Sequence, residues 1–235
     1  MGKTDFPQER AKWPKVLAFD TSGPFVSVSW SFNSYAGETR HEMARGQAEA
    51  LIPQAEQALH AHGWDWADLD ALAVGVGPGN FTGIRIGVSA ARGLALALNV
   101  PVFGIDAFQA AYGHYKPPPG TLISLRAPRD MAYVQGYGTG SAPQFGSGRL
   151  INPAEPPRDL QLSFGMEVYG FEARKIADQF EAIGNDGFER GNKLNQAEMA
   201  ELLYQEARVF PPPPAPQYIR APDAAPARDD GLRLL

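Results

Sequence analysis

The clearest hydrophobic pattern in the chain lies in residues 70–106. Its first apolar run, residues 71–76, predicts a strand that is buried on both faces. A glycine-rich turn follows, and apolar residues then recur at the spacing of a helix with one face toward the core. That face carries Ile84, Val88, Ala91, Ala95 and Leu98. Asn99 ends the helix and Pro101 opens a second buried strand, so the stretch predicts a βαβ crossover and a parallel strand pair.

Three further strands and a helix are predicted upstream. Residues 15–20 form an apolar run, and residues 25–32 alternate with serine at the period of two that leaves one strand face buried. That buried face would carry Val26, Val28, Trp30 and Phe32. Residues 38–44 predict a polar-faced strand, and residues 47–62 predict an amphipathic helix. The apolar face of this helix carries Ala48, Leu51, Ile52, Ala55, Leu59 and His62.

The pattern changes beyond Phe108, which suggests a second domain. Residues 116–120 read Lys-Pro-Pro-Pro-Gly, typical of a junction between domains. Residues 121–125 and 131–137 predict a hairpin, residues 138–190 give no separable signal, and Asn195 caps a last helix. The predicted division is a loose leader at 1–14, a first domain at 15–109, a smaller domain at 110–210 and a proline-rich tail at 211–235.

Composition and charge argue against several classes of protein and of binding site. The 235 residues are 44% hydrophobic and carry a net charge of −5, which argues against a protein that grips nucleic acid unaided. The absence of Cys excludes disulfides and thiolate sites. The charged N-terminus has no signal-peptide core, and the apolar runs fall short of the ~18 residues of a membrane span. We therefore expect a cytoplasmic protein with no membrane association.

The glycine-rich turn, residues 77–81, has two interpretations. Backbone N–H groups at a helix N-terminus attract anions, but the Lys of a P-loop is missing from this stretch. A tight turn that seats the helix on the sheet is the favoured interpretation, with Thr82 capping the helix. Gly83 and Gly87 leave a groove where another backbone could approach closely.

The end of the first predicted strand is a candidate nucleotide loop. It consists of Asp20, Thr21, Ser22 and Gly23. Pro24 lacks the N–H that a phosphate-binding hairpin would donate, and the chain has no Gly-Gly pair. An aspartate that satisfies the amides of its own turn is the alternative. The four histidines lack metal-binding spacing, so no metal site is predicted.

Several motifs together resemble one family. They are LAFDTS at 17–22, SVSW at 27–30, ALIP at 50–53, the GVGPGNFTGIRIG run within residues 75–106, RAPRDMAY at 126–133 and YIRAPDA at 218–224. The sequence resembles the bacterial TsaB (YeaZ) family over most of residues 15–224. Arg126 stands where the family pattern has Asp, so no role is assigned to Arg126 or Arg129.

The resemblance implies an α/β protein with the actin-like (ASKHA, RNase H-like) fold, that is, two related domains with mixed sheets flanked by helices. It also implies a non-catalytic subunit, a homodimer when alone. The implied partners are a TsaD-like catalytic subunit and a TsaE-like ATPase, which together make threonylcarbamoyladenosine beside the tRNA anticodon. ATP and metal are then expected on the partners, none on this chain, and tRNA only through the complex.

The resemblance further places the subunit contact on the outward faces of the two helices, residues 47–62 and 83–98. The expected interface residues are Ala48, Leu51, Gln54, Ala55, Gly83, Arg85, Gly87 and Ala90. That the glycine groove merely seats its own helix stays open. The tail from Tyr218 is expected to dock on a partner or on the protein itself. The alternative functions are a self-sufficient ATP-dependent kinase or hydrolase of this fold, or a peptidase.

Overall fold

Two five-stranded mixed sheets form the framework of the protein. The computed structural model describes residues 13–33, 35–115, 120–137, 148–160, 162, 165–186, 195–206 and 211–219. The predicted leader at 1–14 therefore lies almost wholly outside the described residues, as do 138–147, 187–194 and the end of the tail from 220.

The first half of the chain forms the first sheet and two helices. Its elements are β1 (Val16–Asp20), β2 (Phe25–Phe32), β3 (Tyr35–Glu42), α1 (Gln47–Ala61), β4 (Ala71–Gly77), α2 (Phe81–Leu98) and β5 (Val102–Asp106). The strand order is β3-β2-β1-β4-β5, in which β1 pairs with β2 antiparallel and with β4 parallel. Strands β4 and β5 are also parallel, so the predicted element order and the βαβ crossover are confirmed.

The second half forms the second sheet. Its elements are α3 (Ala107–Tyr115), β6 (Thr121–Arg126), β7 (Ala132–Tyr137), β8 (Arg149–Ile151), β9 (Glu167–Gly170), α4 (Ala173–Ala177), β10 (Ile183–Asn185) and α5 (Gln196–Glu206). The order is β10-β9-β6-β7-β8. Strands β6 and β7 pair antiparallel, which confirms the predicted hairpin.

Both faces of the first sheet are covered, contrary to the alternation predicted for β2. Helices α1 and α2 cover one face, where Val26 and Val28 are fully buried. Helix α5 covers the other, and the β2 serines on that face are buried as well: Ser27, Ser29 and Ser31. Alternation along a strand shows which residues share a face, but it does not show whether another element covers that face. The serines are satisfied in part by carboxylates, since Ser31 donates a hydrogen bond to Glu201 of α5.

Helix α5 takes part in the packing of the first sheet. It falls within the predicted second domain, 110–210, yet its buried face packs on the first sheet against Ala71, Ala73 and Phe103. Small residues on both surfaces, with Ala197 and Ala200 on the helix, let the backbones approach closely. The first structural unit is therefore completed by residues from near the end of the chain.

The ends and faces of the two N-terminal helices also differ in detail from the prediction. The cap of α2 is Asn80, whose side chain accepts a hydrogen bond from Gly83 N at 2.9 Å, instead of Thr82. Asn99 ends the helix in the left-handed conformation, as predicted. Helix α1 ends at Ala61, and both Ala48 and His62 are exposed although they were placed on its core face.

Helix α2 is the one described helix whose length, 18 residues, and apolar composition would allow it to cross a membrane. The sequence prediction of uniformly shorter apolar runs overlooked it. Its stripe Ile84, Val88, Ala91 and Ala95 is buried against the first sheet. Such packing is how the core helix of a folded α/β domain acquires this composition.

Candidate functional site

The candidate site lies where β1, the glycine-rich turn, helix α5 and the tail meet at one end of the first sheet. Asp20, the last residue of β1, is half-buried there. Its Oδ1 accepts a hydrogen bond from the Ser22 N–H at 2.7 Å, and its Oδ2 accepts one from Gln196 Nε2 at 3.1 Å. Both carboxylate oxygens are therefore bonded within the chain.

Gly75 of β4 provides the space for this contact. A Cβ atom there would lie 2.5 Å from Asp20 Cγ and 2.8 Å from Gln196 Nε2. The first turn of α5 therefore fills the space beside the carboxylate. Sequence reasoning predicted the helix and its Asn195 cap, and Asn195 Oδ1 accepts from Glu198 N at 2.9 Å. It missed Gln196, because no local pattern relates residues 176 positions apart.

The turn between β1 and β2 is fastened to α2. The Thr21 hydroxyl donates to the Gly83 carbonyl at 2.7 Å, and the Asn80 N–H donates to the Ser22 carbonyl at 2.6 Å. A Cβ at Gly83 would lie 2.0 Å from the Thr21 carbonyl oxygen, and one at Gly87 would lie 2.8 Å from Thr21 Oγ1. The glycine groove is thus filled by the chain's own loop. Both glycines are buried within the chain itself, and their expected use in a subunit contact stays a prediction.

The glycine-rich turn is itself closely packed. Gly77 has a φ of 107°, which favours glycine, and a Cβ at Gly79 would lie 2.2 Å from the Ser22 carbonyl oxygen. The tail crosses this turn, since the Gln217 N–H donates to the Val76 carbonyl at 2.8 Å. The turn therefore seats α2 and the tail on the sheet, as the tight-turn interpretation expected.

The tail segment 211–219 docks on the protein's own body, and it includes Tyr218 and Ile219, the two described residues of the tail for which docking on a partner or on the protein itself was expected. Pro214 is buried near Gly104 of β5, and Ile219 packs with Phe108 beside the core of the second sheet. Tyr218 lies on the first turn of α2, where its ring centroid is 4.8 Å from that of Phe81. The segment therefore links the two sheets across the glycine-rich turn.

Arg85 completes a small exposed cluster with the tail, which we call the Arg85 cluster: Phe81, Arg85 and Tyr218. The guanidinium carbon of Arg85 lies 3.7 Å from the centroid of the Phe81 ring. Its Nε donates to the Tyr218 hydroxyl at 2.9 Å. Sequence reasoning selected Arg85 as an interface residue, but the contact with Tyr218, 133 residues away, could not be foreseen.

The other expected interface residues divide into two groups. Leu51 and Ala55 are 1% and 0% exposed and pack in the core, and their expected place in a subunit contact stays a prediction. Ala48 is exposed, and Gln54 and Ala90 are half-buried. The outward face of α2 carries Leu96, which is 83% exposed, and Gly93, which has no atom within 4 Å of its hypothetical Cβ.

Asp106, outside the candidate site, is a buried carboxylate next to the start of α3. Burial raises the pKa of Asp106 above its usual value, although hydrogen bonds from the backbone at Gln109 and Phe108 oppose the rise. Asp106 Oδ1 accepts from Gln109 N at 2.7 Å and so caps α3. Within the described ranges, no group of three or more His, Asp or Glu side chains could hold a metal ion.

Arg126 and Arg129, to which the sequence assigned no role, lie at the β6–β7 turn. The Arg126 guanidinium stacks 4.2 Å from the Phe171 ring and lies 3.7 Å from a carboxylate oxygen of Asp130. Arg129 and Asp130 both have positive φ. The two arginines are far in sequence from the end of β1, and the structure gives them no contact with Asp20.

The chain is similar to one family model and to individual bacterial proteins. The family model described as TsaD, tRNA N6-adenosine threonylcarbamoyltransferase, matches residues 31–138. An uncharacterized protein of Mycobacterium bovis is 30% identical over 221 residues, which is 92% of this chain and 97% of that protein. The tRNA threonylcarbamoyladenosine biosynthesis protein TsaB of Escherichia coli is 36% identical over 93 residues, 39% of this chain and 40% of TsaB.

A solved structure shares the architecture. The crystal structure of an uncharacterized protein from Pseudomonas aeruginosa, with similarity to peptidase YeaZ, covers 88% of this chain and all of its own. The TM-score is 0.59 at 23% identity, a likeness that speaks for the fold alone. The predicted actin-like fold, with two mixed sheets flanked by helices, is confirmed.

Proposed function

The chain belongs to the TsaB (YeaZ) family, and from this premise we propose that it acts in tRNA threonylcarbamoyladenosine biosynthesis as a non-catalytic subunit. The TsaB relatives, whose names give that pathway, support the general role. Sequence similarity to TsaB of Escherichia coli covers 39% of the chain. The proposal that this subunit is non-catalytic therefore rests on the chain's own geometry.

The observation that carries the non-catalytic role is the state of Asp20. In an actin-like nucleotide-binding fold, an aspartate at this position would hold a metal ion through water. Here the Ser22 N–H and Gln196 Nε2 each donate to one of the two oxygens, and the side chain of Gln196 lies in the adjoining space. A metal ion bound directly to Oδ2 would compete with the Gln196 Nε2 donor, which α5 holds there through the packing of Ala197 and Ala200. These contacts join α5 to the first sheet.

The outward face of α2 supports the proposed contact of the two N-terminal helices with a TsaD-like catalytic subunit and, in its absence, with a second copy of the chain. Leu96 projects from α2 with 83% exposure, and Gly93 leaves open space beside it in the same helix. Glycine within an exposed helix costs about 1 kcal/mol against Ala, which suggests a close approach by another surface. A charged residue in place of Leu96 would disrupt such an approach.

The remaining members of the proposed system carry the cofactors. We assign ATP to a TsaE-like ATPase and the catalytic partner, metal to that partner, and neither to this chain. The net charge of −5 favours tRNA contact through the complex over direct binding. Location in the cytoplasm, away from membranes, follows from the same role and stays a prediction.

Reconstitution tests the proposal. The chain, the TsaD and TsaE proteins of the same organism, and unmodified tRNA are combined with the threonylcarbamoyl donor, and each protein is omitted in turn. Modified tRNA should require the chain, while the chain alone should neither modify tRNA nor turn over ATP. Leu96→Asp should separate the chain from TsaD without unfolding it, and exposed Ala67→Asp serves as the control. ATP turnover by the chain alone would instead support the kinase or hydrolase alternative.

A further inference from the structure

We infer that Arg85 recognises a carboxylate on the TsaD-type partner, and that the tail residue Tyr218 positions it for this contact. The inference rests on the proposed function and adds the chemistry of one contact to it. Arg85 is exposed on the first turns of α2, the helix proposed to meet the partner. Three observations on the Arg85 cluster support this assignment.

The first observation is that the Arg85 side chain is held in place. Its guanidinium lies over the Phe81 ring at 3.7 Å, and its Nε donates to the Tyr218 hydroxyl at 2.9 Å. An exposed arginine normally loses rotamer freedom when it binds, which weakens its contribution. The ring and the phenol have already restricted that freedom. Both terminal nitrogens, which form the donor fork, lack a hydrogen-bond partner among the described residues.

The second observation is the missing counter-charge. Two other described arginines also stack on phenylalanine rings, and each has its own carboxylate. Arg40 lies over Phe25 with its Nε 2.7 Å from Glu42. Arg126 lies over Phe171 and is 3.7 Å from Asp130. Across the described part of the chain, no carboxylate lies within 4 Å of Arg85.

The third observation is that the surroundings of Arg85 add positive potential. The first turn of α2 contains no acidic residue, and the helix dipole places partial positive charge at this end. A guanidinium fork that keeps its terminal N–H groups free matches a carboxylate in two parallel hydrogen bonds. A single such fork suits one carboxylate of a protein. A polyanion requires many cations, and the chain as a whole is negative.

The test measures the affinity of the full-length chain for TsaD of the same organism at several salt concentrations. Arg85→Gln should weaken binding about tenfold and flatten its salt dependence, because one charge pair is removed. Arg85→Lys should recover little, since Lys lacks the planar fork. Tyr218→Phe keeps the ring but loses the hydroxyl, so its affinity should fall between those of wild type and Arg85→Gln.

Arg40→Gln is the matched control, since Arg40 also stacks on a ring but already has a carboxylate partner. It should bind TsaD with wild-type affinity, and thermal melting should show every variant folded. Wild-type affinity and salt dependence in Arg85→Gln would overturn the inference, while loss of binding in Leu96→Asp would leave the proposed function standing. Failure of the wild-type chain to bind TsaD would overturn both. A loss confined to affinity for a tRNA anticodon stem-loop would assign Arg85 to nucleic acid and also overturn the inference.

Discussion

At the residue scale, the carboxylate of Asp20 has a structural partner on each oxygen. Replacing Asp20 with Ala leaves the Ser22 N–H and the Gln196 amide without their acceptor, at a cost of about 1–3 kcal/mol in the free energy of unfolding. Because these contacts are internal, tRNA modification in the reconstituted system should stay within a few-fold of wild type. Urea denaturation and the modification rate measure the two effects.

Asp20→Asn is the control for that substitution, because the amide oxygen can still accept from Ser22 N. Its stability should fall less than that of Asp20→Ala. A drop in modification of more than about tenfold in Asp20→Ala, with the fold intact, corresponds to ~1.4 kcal/mol or more and would contradict the non-catalytic role.

A second residue-scale prediction concerns Asp106. Because burial raises the pKa of this carboxyl in the folded protein above the unfolded value of 3.8, the folded state binds its proton more tightly. The resulting stabilisation is fully present below pH 3.8 and is lost as the pH rises through the higher folded-state pKa. Asp106→Asn is neutral throughout and can still cap α3 through its amide oxygen.

The stability of Asp106→Asn relative to wild type should therefore increase with pH across this window and level off above it. Urea denaturation of both proteins between pH 3.5 and 7 measures the difference. A difference that is constant with pH, or that shrinks as the pH rises, would show that burial does not control this carboxyl.

At the scale of elements, two glycines of α2 have opposite roles: Gly83 lies in the first turn of the helix and Gly93 in its interior. A Cβ at Gly83 would meet the Thr21 carbonyl oxygen at 2.0 Å, whereas one at Gly93 would meet nothing within 4 Å. We expect Gly83→Ala to destabilise the protein by about 1–3 kcal/mol through overpacking, and Gly93→Ala to stabilise it by about 0.5–1 kcal/mol through helix propensity. Chemical denaturation of the two variants provides the comparison.

The same pair tests the proposed interface on α2. Gly93→Ala should weaken partner binding if α2 approaches TsaD closely there, while its isolated stability rises. Gly83→Ala with wild-type stability would mean that the β1–β2 loop does not fill the groove. Gly87, whose Cβ would lie 2.8 Å from Thr21 Oγ1, should behave like Gly83 on substitution by Leu, by losing stability and not merely oligomeric state.

Elements were predictable where their pattern is local. The run from β4 to β5 combines an apolar strand, a glycine-rich turn, a helical stripe and Asn99 in the left-handed conformation, and each of these features has its own sequence signal. The covered serine face of β2 was not predictable, because Ser27, Ser29 and Ser31 look solvent-facing until a helix is placed over them. That placement depends on α5, whose small apolar face fits several surfaces equally well.

In the candidate site as well, residues marked by a local sequence pattern were predictable and their distant partners were not. Asp20 and Thr21 stand out in sequence because a strand ends there before a turn, and Arg85 follows the glycine-rich turn by a short interval. Their partners Gln196, Gly83 and Tyr218 come from tertiary contact. The groove at Gly83 and Gly87 predicted a close approach correctly but not the identity of the approaching segment, since small residues accept an internal loop or an external helix alike.

At the scale of the whole molecule, the tail segment 211–219 ties the two sheets together. Gln217 bonds the end of β4 through its backbone, Pro214 covers β5, and Ile219 packs beside the second core with Phe108. An internal strap of this kind limits the freedom of the two halves to open around the glycine-rich turn. Proline fixes part of the backbone, which lowers the entropy lost when the segment docks.

A chain truncated after Ala215 tests this role. It loses the Gln217 hydrogen bond to Val76, worth about 1 kcal/mol, and the packing of the Ile219 side chain, worth about 1–2 kcal/mol. The free energy of unfolding should therefore fall by about 2–3 kcal/mol. Because Tyr218 is also removed, Arg85 loses its positioning contact and tRNA modification should fall as well.

Ile219→Ala separates the two consequences of truncation. It removes the packing against Phe108 but keeps Tyr218 on Arg85, so it should lower stability while largely preserving modification activity. Tyr218→Phe should do the reverse. If the truncated chain kept full stability in urea denaturation, the segment would not be a strap. If it lost stability but kept wild-type modification, the tail would serve the fold alone and Tyr218 would have no part in assembly.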